Sequence, residues 1–269
     1  MTFRFNLLNV VKNISFMILL AATSSGFAAD REAAIHNLSR LSVSYQSTEM
    51  ERAPAIGESS FLQQEQAMIK GLQLNLYGVA LFSANDIVGD VIRTLTGFKW
   101  SHLGAVLEDQ YGVLWLLESK GSADEVLKGI KPQVQISKWA ETSKSYNGNV
   151  AIRPFIFNTF QPDATAVQAY LDKNLGRSYE KDMMVLIRAI SGQNTPDDSY
   201  MSSLFCSEMV ADLLINLGFW DGKKELASNC LPGHFAAPTA EKYVKLINGA
   251  SLGHQKIIKR KKRDCCTLL

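Results

Sequence analysis

The sequence predicts an α+β domain in which a small antiparallel sheet packs against helices, and three observations carry the prediction. Two short apolar runs, 103–107 and 114–118, flank the turn residues Asp109-Gln110-Tyr111-Gly112, as the strands of a hairpin would. The second half of the chain has helical spacing instead, most clearly in Leu204-Phe205-Cys206-Ser207-Glu208-Met209-Val210-Ala211-Asp212-Leu213-Leu214-Ile215. The third observation is size. Of 269 residues, 46% of them apolar, about 200 remain once the ends are set aside, enough to bury one substantial core.

Taken in order, residues 1–28 read as a secretory signal. Arg4 and Lys12 precede the apolar core at residues 14–22, and Gly26-Phe27-Ala28 supplies small residues for cleavage before Ala29. The alternative is a buried or membrane-lying N-terminal helix. Residues 29–75 form a polar, helix-prone extension in which Ile35, Leu38, Leu41 and Tyr45 make one narrow apolar stripe. The main domain is expected over 76–250. It opens with a strand at 76–82 and a helix at 85–96, and the hairpin comes next. A further strand covers 150–157. A helix over 163–175 begins with Asp163 as cap and ends before Gly176, another covers 183–190, and a third runs from 203 to 217 and stops at Gly218. Residues 251–269 are a basic tail.

Charge excludes one class of partner. The net charge of +2 hides +5 on residues 256–269 and +2 on residues 1–28, so the body between them is acidic at −5. A nucleic-acid groove needs clustered Lys and Arg on the folded surface, so no nucleic-acid partner is expected. Cysteine usage excludes another. Cys265 and Cys266 are adjacent near the terminus, which leaves Cys206 and Cys230 in the body without a spaced framework for disulfides or zinc. His36, His102, His234 and His254 do not fall at metal-ligand spacing either, and no metal or cofactor is expected.

Cys206 carries the chemistry. In the first turn of its helix a thiol meets unpaired backbone N–H groups and the positive end of the helix dipole, both of which favour the nucleophilic thiolate. The backbone N–H of Cys206 is a natural oxyanion donor for the same reason. His102, at the start of the first hairpin strand, is the candidate proton shuttle, and Glu118, which closes the second, could hold the imidazole in its useful tautomer. Each residue also has a plain structural reading: His102 as a core histidine, Cys206 and Cys230 as small buried residues, Glu118 as a solvated strand end. Glu208 and Ser207 share the helix start, where capping suffices for them.

Several segments, in order, resemble the circularly permuted, papain-like amidases of the YiiX/YaeF kind, relatives of the NlpC cell-wall peptidases. They are Asn85-Asp86-Ile87-Val88-Gly89-Asp90-Val91-Ile92, Ser101-His102-Leu103-Gly104, Leu116-Leu117-Glu118-Ser119, Gly176-Arg177-Ser178-Tyr179-Glu180, Phe205-Cys206-Ser207-Glu208 and Leu231-Pro232-Gly233-His234. Together they cover roughly residues 78–240. The resemblance implies a permuted papain-like fold, a Cys206–His102 pair with Glu118 as third member, a cleft position for Tyr179 and amide substrates such as cell-wall peptides. A surface tyrosine after a glycine turn is the alternative for Tyr179. Two positions depart from the pattern: Glu180 stands where Asp is usual, and Tyr77-Gly78-Val79-Ala80-Leu81-Phe82 lacks the family's opening Gly-Asp pair.

The tail carries its own signal. Lys256 and Lys259-Arg260-Lys261-Lys262-Arg263 run into Asp264-Cys265-Cys266-Thr267-Leu268-Leu269. Cys-x-x-Leu at the end is the geranylgeranyl form of the prenylation box, so Cys266 is expected to be prenylated by a eukaryotic, host prenyltransferase, with Cys265 open to palmitoylation. The polybasic run is the second signal that stable anchoring needs. A basic tail with two chance cysteines is the alternative. An export signal and a cytosolic lipid anchor are compatible if a bacterial protein is delivered into a eukaryotic cell; the alternative is that only one of the two signals operates, leaving the protein either exported or membrane-associated in a eukaryotic cytosol. The expected function is a thiol hydrolase or acyltransferase acting on amide or ester bonds, including lipid-linked ones, and the alternative is an inactive membrane-tethered binding module of the same fold.

Overall fold

A computed structural model of the protein describes residue 64 and residues 66–85, 87–120, 132–179, 203–222 and 226–259. The expected signal segment, most of the 29–75 extension, the helix at 183–190, Glu180, Cys265 and Cys266 lie outside the described residues.

The class is α+β, as the periodicities predict. Among the described residues nine strands form one mostly antiparallel sheet: β1 (Asn75–Ala84), β2 (His102–Glu108), β3 (Leu114–Lys120), β4 (Gln133–Lys138), β5 (Gly148–Phe157), β6 (Ser178–Tyr179), β7 (Ser203–Leu204), β8 (Ala250–Leu252) and β9 (Lys256–Lys259). Their order is β7-β6-β4-β3-β2-β1-β5-β8, and β9 also pairs with β5. Among the described residues five α-helices accompany them: α1 (Ile87–Thr96), α2 (Trp139–Ser145), α3 (Ala164–Asn174), α4 (Cys206–Asn216) and α5 (Ala240–Tyr243).

The central strands are buried on both faces. On one face Val79, Leu81, Leu103, Leu107 and Leu117 pack with Val167 and Leu171 of α3 and Val210, Leu213 and Leu214 of α4. On the other, Ala80, Phe82, Val106, Leu116, Val150 and Ile152 pack with Trp139 of α2. Near-continuous apolar runs in β1 and β2 follow from this double coverage.

Local chemistry sets the helix ends. Asp163 accepts from the Thr165 N–H at 3.1 Å as the cap of α3, whose buried residues Val167, Tyr170, Leu171 and Asn174 follow helical spacing. The Tyr170 hydroxyl lies 3.0 Å from Met209 O and 3.1 Å from Asp212 Oδ2, which joins α3 to α4. α4 ends at Gly218, whose φ of +77° and the Phe219 N–H donating to Leu214 O close the last turn. It begins at Cys206, three residues later than the pattern suggests, because Ser203 and Leu204 are drawn into a short strand parallel to β6.

The β2–β3 turn is organised by one side chain. The Asp109 carboxylate accepts from the N–H groups of Tyr111 and Val113, each at 2.9 Å, and from Trp115 Nε1 at 3.0 Å. Asp109→Ala strands three donors, two of them on the backbone of the turn, and is expected to lower stability by about 2–3 kcal/mol. The shift of the urea midpoint at unchanged slope measures it.

The expected boundaries need correction at both ends. Ile69 and Leu74 already belong to the core, so the domain starts before 76. At the other end β8 and β9 add to β5, so the sheet reaches Lys259 and residues 251–259 are not tail. The Lys259 Nζ donates to the carbonyls of Lys144 and Tyr146 at 2.8 and 2.6 Å, capping the C-terminus of α2. That ammonium is committed to the fold.

Candidate active site

The first turn of α4 is built around its free N–H groups. Phe205, in extended conformation, is the N-cap, and the carboxylate of Glu208 accepts the Phe205 N–H at 3.2 Å, which makes Glu208 a capping residue as its position suggests. Ser207 donates its hydroxyl to Cys230 O at 2.7 Å, tying the same turn to the segment after the helix. Between them Cys206 is 7% exposed. Its sulfur is hydrogen-bonded to His102 and accepts from the backbone N–H groups of Ser207 and Leu103.

Leu103 can donate there because β2 and β3 part company. Their register runs from Ala105↔Leu117 to Glu108↔Leu114, while β1 stays paired with β2 down to Phe82↔His102. Just beyond the last β2–β3 pair, Gly104 lies so close to β3 that a Cβ would sit 2.6 Å from Leu116 Cδ1, 3.0 Å from Leu117 O and 3.4 Å from Glu118 Cβ. The missing side chain leaves His102 Nε2 free to reach diagonally to Glu118 Oε2, at 2.7 Å. With Nε2 so engaged, Nδ1 is the nitrogen left for the thiol. The imidazole rests on Phe82, ring centroids 5.5 Å apart.

Glu118 is buried, so its solvated-strand-end reading is set aside. It lies directly opposite Gln135 of β4, also buried and hydrogen-bonded to it, and Lys120 Nζ is 3.9 Å from its Oε1. Burial opposes its charge, yet the hydrogen bond and positive charge of His102, then Lys120 and Gln135, hold its carboxyl below the ordinary range.

The same balance governs the pair. Burial disfavours charged His102, but the Cys206 thiolate, the hydrogen bond between them and then Glu118 outweigh it and raise the imidazole to about 10. Burial likewise opposes the Cys206 thiolate, and the His102 charge and hydrogen bond, with the two backbone donors, bring its pKa below the usual thiol value. Both shifts run in the direction that favours a thiolate–imidazolium pair over a neutral thiol and imidazole.

His234 is the contrasting case. Its Nδ1 accepts the Leu231 N–H at 3.2 Å, its ring stacks on Tyr243 at 4.3 Å, and burial pushes it down to about 4. Burial keeps it neutral, the opposite of the shift at His102. Tyr179, on β6 beside Leu204, packs its ring edge-on against Phe205 at 6.0 Å, next to the residue preceding the thiol.

Cys206, His102 and Glu118 are thus brought together, and Tyr179 stands one side chain away. Sequence reading missed Gln135, although the alternation Gln133-Val134-Gln135-Ile136-Ser137 carries a strand signal. Among the described residues no three His, Cys, Asp or Glu side chains gather as metal ligands would. Neither family models nor curated proteins match the chain.

Proposed function

We propose that the protein is a cysteine hydrolase or acyltransferase that forms an acyl-enzyme on Cys206. The observation that supports the reading best is the convergence of a buried thiol at a helix start, an imidazole and a buried carboxylate from three separate elements on one hydrogen-bonded line. A structural cysteine or core histidine has no need of such a partner set.

Sγ of Cys206 attacks an acyl carbon, and the S–C bond forms as the bond to the leaving nitrogen or oxygen breaks. His102 gives its proton to that leaving group. It then takes a proton from water, for hydrolysis, or from an acceptor amine or alcohol, for transfer, as the second nucleophile releases the acyl group. Glu118 keeps Nε2 protonated and Nδ1 aimed at sulfur. The Cys206 N–H, in the first turn where helices lack internal acceptors, is the oxyanion donor this reading assigns. The motif resemblance to permuted papain-like amidases favours amide substrates.

A screen of amide and ester substrates with the intact protein and with Cys206→Ala tests the proposal. Turnover by the parent should fall to background in the variant; equal turnover in both would refute the acyl-enzyme.

A further inference from the structure

Glu118 stands where the sheet changes partners. β2 and β3 are paired only from Ala105↔Leu117 to Glu108↔Leu114, whereas β3 and β4 stay in register from Trp115↔Lys138 to Lys120↔Gln133. At Glu118 the ladder continues on the β4 side alone, and the residue across it is Gln135. Cβ atoms of directly opposed residues are about 5 Å apart, within reach of a glutamine amide. The carboxylate is thus held from two sides: by His102 Nε2 at 2.7 Å, reaching diagonally from β2, and by the Gln135 amide, which donates to it from β4.

A glutamine is a demanding residue to bury. Gln135 is 5% exposed, and its neighbours Val134 and Ile136 turn to the opposite face and join the apolar core. A buried amide is unfavourable unless its hydrogen bonds are made, and an apolar side chain of similar length would fill the space without that penalty. The bond to Glu118 is what the amide gains. Lys120 lies two residues beyond Glu118 on the same face of β3, with Nζ 3.9 Å from Oε1. That distance exceeds a hydrogen bond, so the ammonium adds charge without direction. His102 from β2, Lys120 from β3 and Gln135 from β4 are the groups that bear on the carboxylate.

We propose that Gln135 is a positioning residue for the reaction at Cys206: its amide fixes the Glu118 carboxylate so that His102 Nε2 stays engaged and Nδ1 keeps facing the sulfur. The role rests on the acyl-enzyme reading above. Without the amide the carboxylate is free to turn toward Lys120, which lies nearest the oxygen that His102 does not use, and the imidazole loses its fixed orientation. Deacylation is the step most sensitive to this. There His102 must take a proton from water while the water oxygen bonds the acyl carbon and the S–C bond breaks, returning the thiolate. A misplacement of about 1 Å is enough to slow such a step about 100-fold.

The test uses the full chain and 4-nitrophenyl acetate. Nitrophenolate leaves without needing a proton, so its release in the first turnover reports acylation of Cys206, and the steady rate that follows reports deacylation through His102. Gln135→Met keeps the length of the side chain and removes the donor. It should leave the first turnover nearly unchanged and slow the steady rate about 10–100-fold. Gln135→Glu is the second variant. Two opposed buried carboxylates do not both ionise, so at low pH the new carboxyl shares a proton with Glu118 and donates in place of the amide. The steady rate should approach the parent's there and fall as that proton is lost at higher pH. A merely structural role predicts that both rates drop together in each variant, with the parent's pH dependence. That result, or an unchanged steady rate in Gln135→Met, would overturn the positioning role and leave the acyl-enzyme standing. Equal nitrophenolate release by the parent and by Cys206→Ala would sink the acyl-enzyme reading and the positioning role with it.

Discussion

Cys206 is expected to react with iodoacetamide near neutral pH at least tenfold faster than Cys230, although both are buried. Exposure does not separate them, at 7% and 5%, so the difference must come from ionisation. The thiolate is the nucleophile, and His102 with the N–H groups of Leu103 and Ser207 lowers the Cys206 pKa. The sign follows from the direction of each shift. The rate rises as pH passes upward through the lowered thiol pKa and then levels. Turnover has a second limb: as pH approaches about 10, His102 loses the proton it must give to the leaving group, and activity falls. In His102→Ala the thiol loses its counter-charge, and burial then moves the alkylation curve to higher pH. Equal labelling of the two cysteines across neutral pH, or an unmoved curve in the variant, would show that no ion pair exists.

The second large effect is on turnover itself. His102→Ala removes the proton shuttle and the thiolate's partner together, so a loss of about 10⁴–10⁶-fold in kcat is expected. Glu118→Gln keeps the shape but gives up the charge that favours an ionised ring. A loss of about 10²–10⁴-fold with residual activity is expected, because an orienting member is usually more dispensable than the base. Its pH profile is the sharper readout. Glu118 helps to raise the His102 pKa, so the alkaline limb should move to lower pH in Glu118→Gln. Wild-type kcat with an unshifted limb would leave Glu118 no part in the chemistry.

What was legible in the sequence was whatever depends on neighbours along the chain. The hairpin shows in two apolar runs around Asp109, the cap of α3 in Asp163, the end of α4 in Gly218, and the candidate site in His102 and Cys206 at element starts and in Glu118, which the structure places inside β3 and not at its end. Strands of two to four residues, such as β6 to β9, are too short to display a period. Lys256-Ile257-Ile258-Lys259 accordingly read as charged tail, although it adds an edge strand to β5 and commits Lys259 to the end of α2.

Tertiary structure alone decided the contacts between distant segments. That Cys206 lies against His102, more than a hundred positions earlier, follows from α4 packing across β2, and that its sulfur accepts the Leu103 N–H follows from β3 diverging from β2. Gln135 opposite Glu118 is a consequence of strand register. Local composition specifies which residues can cap, turn or ionise. Register and packing decide which of them meet, because a hydrogen bond acts over about 3 Å of space whatever the separation along the chain.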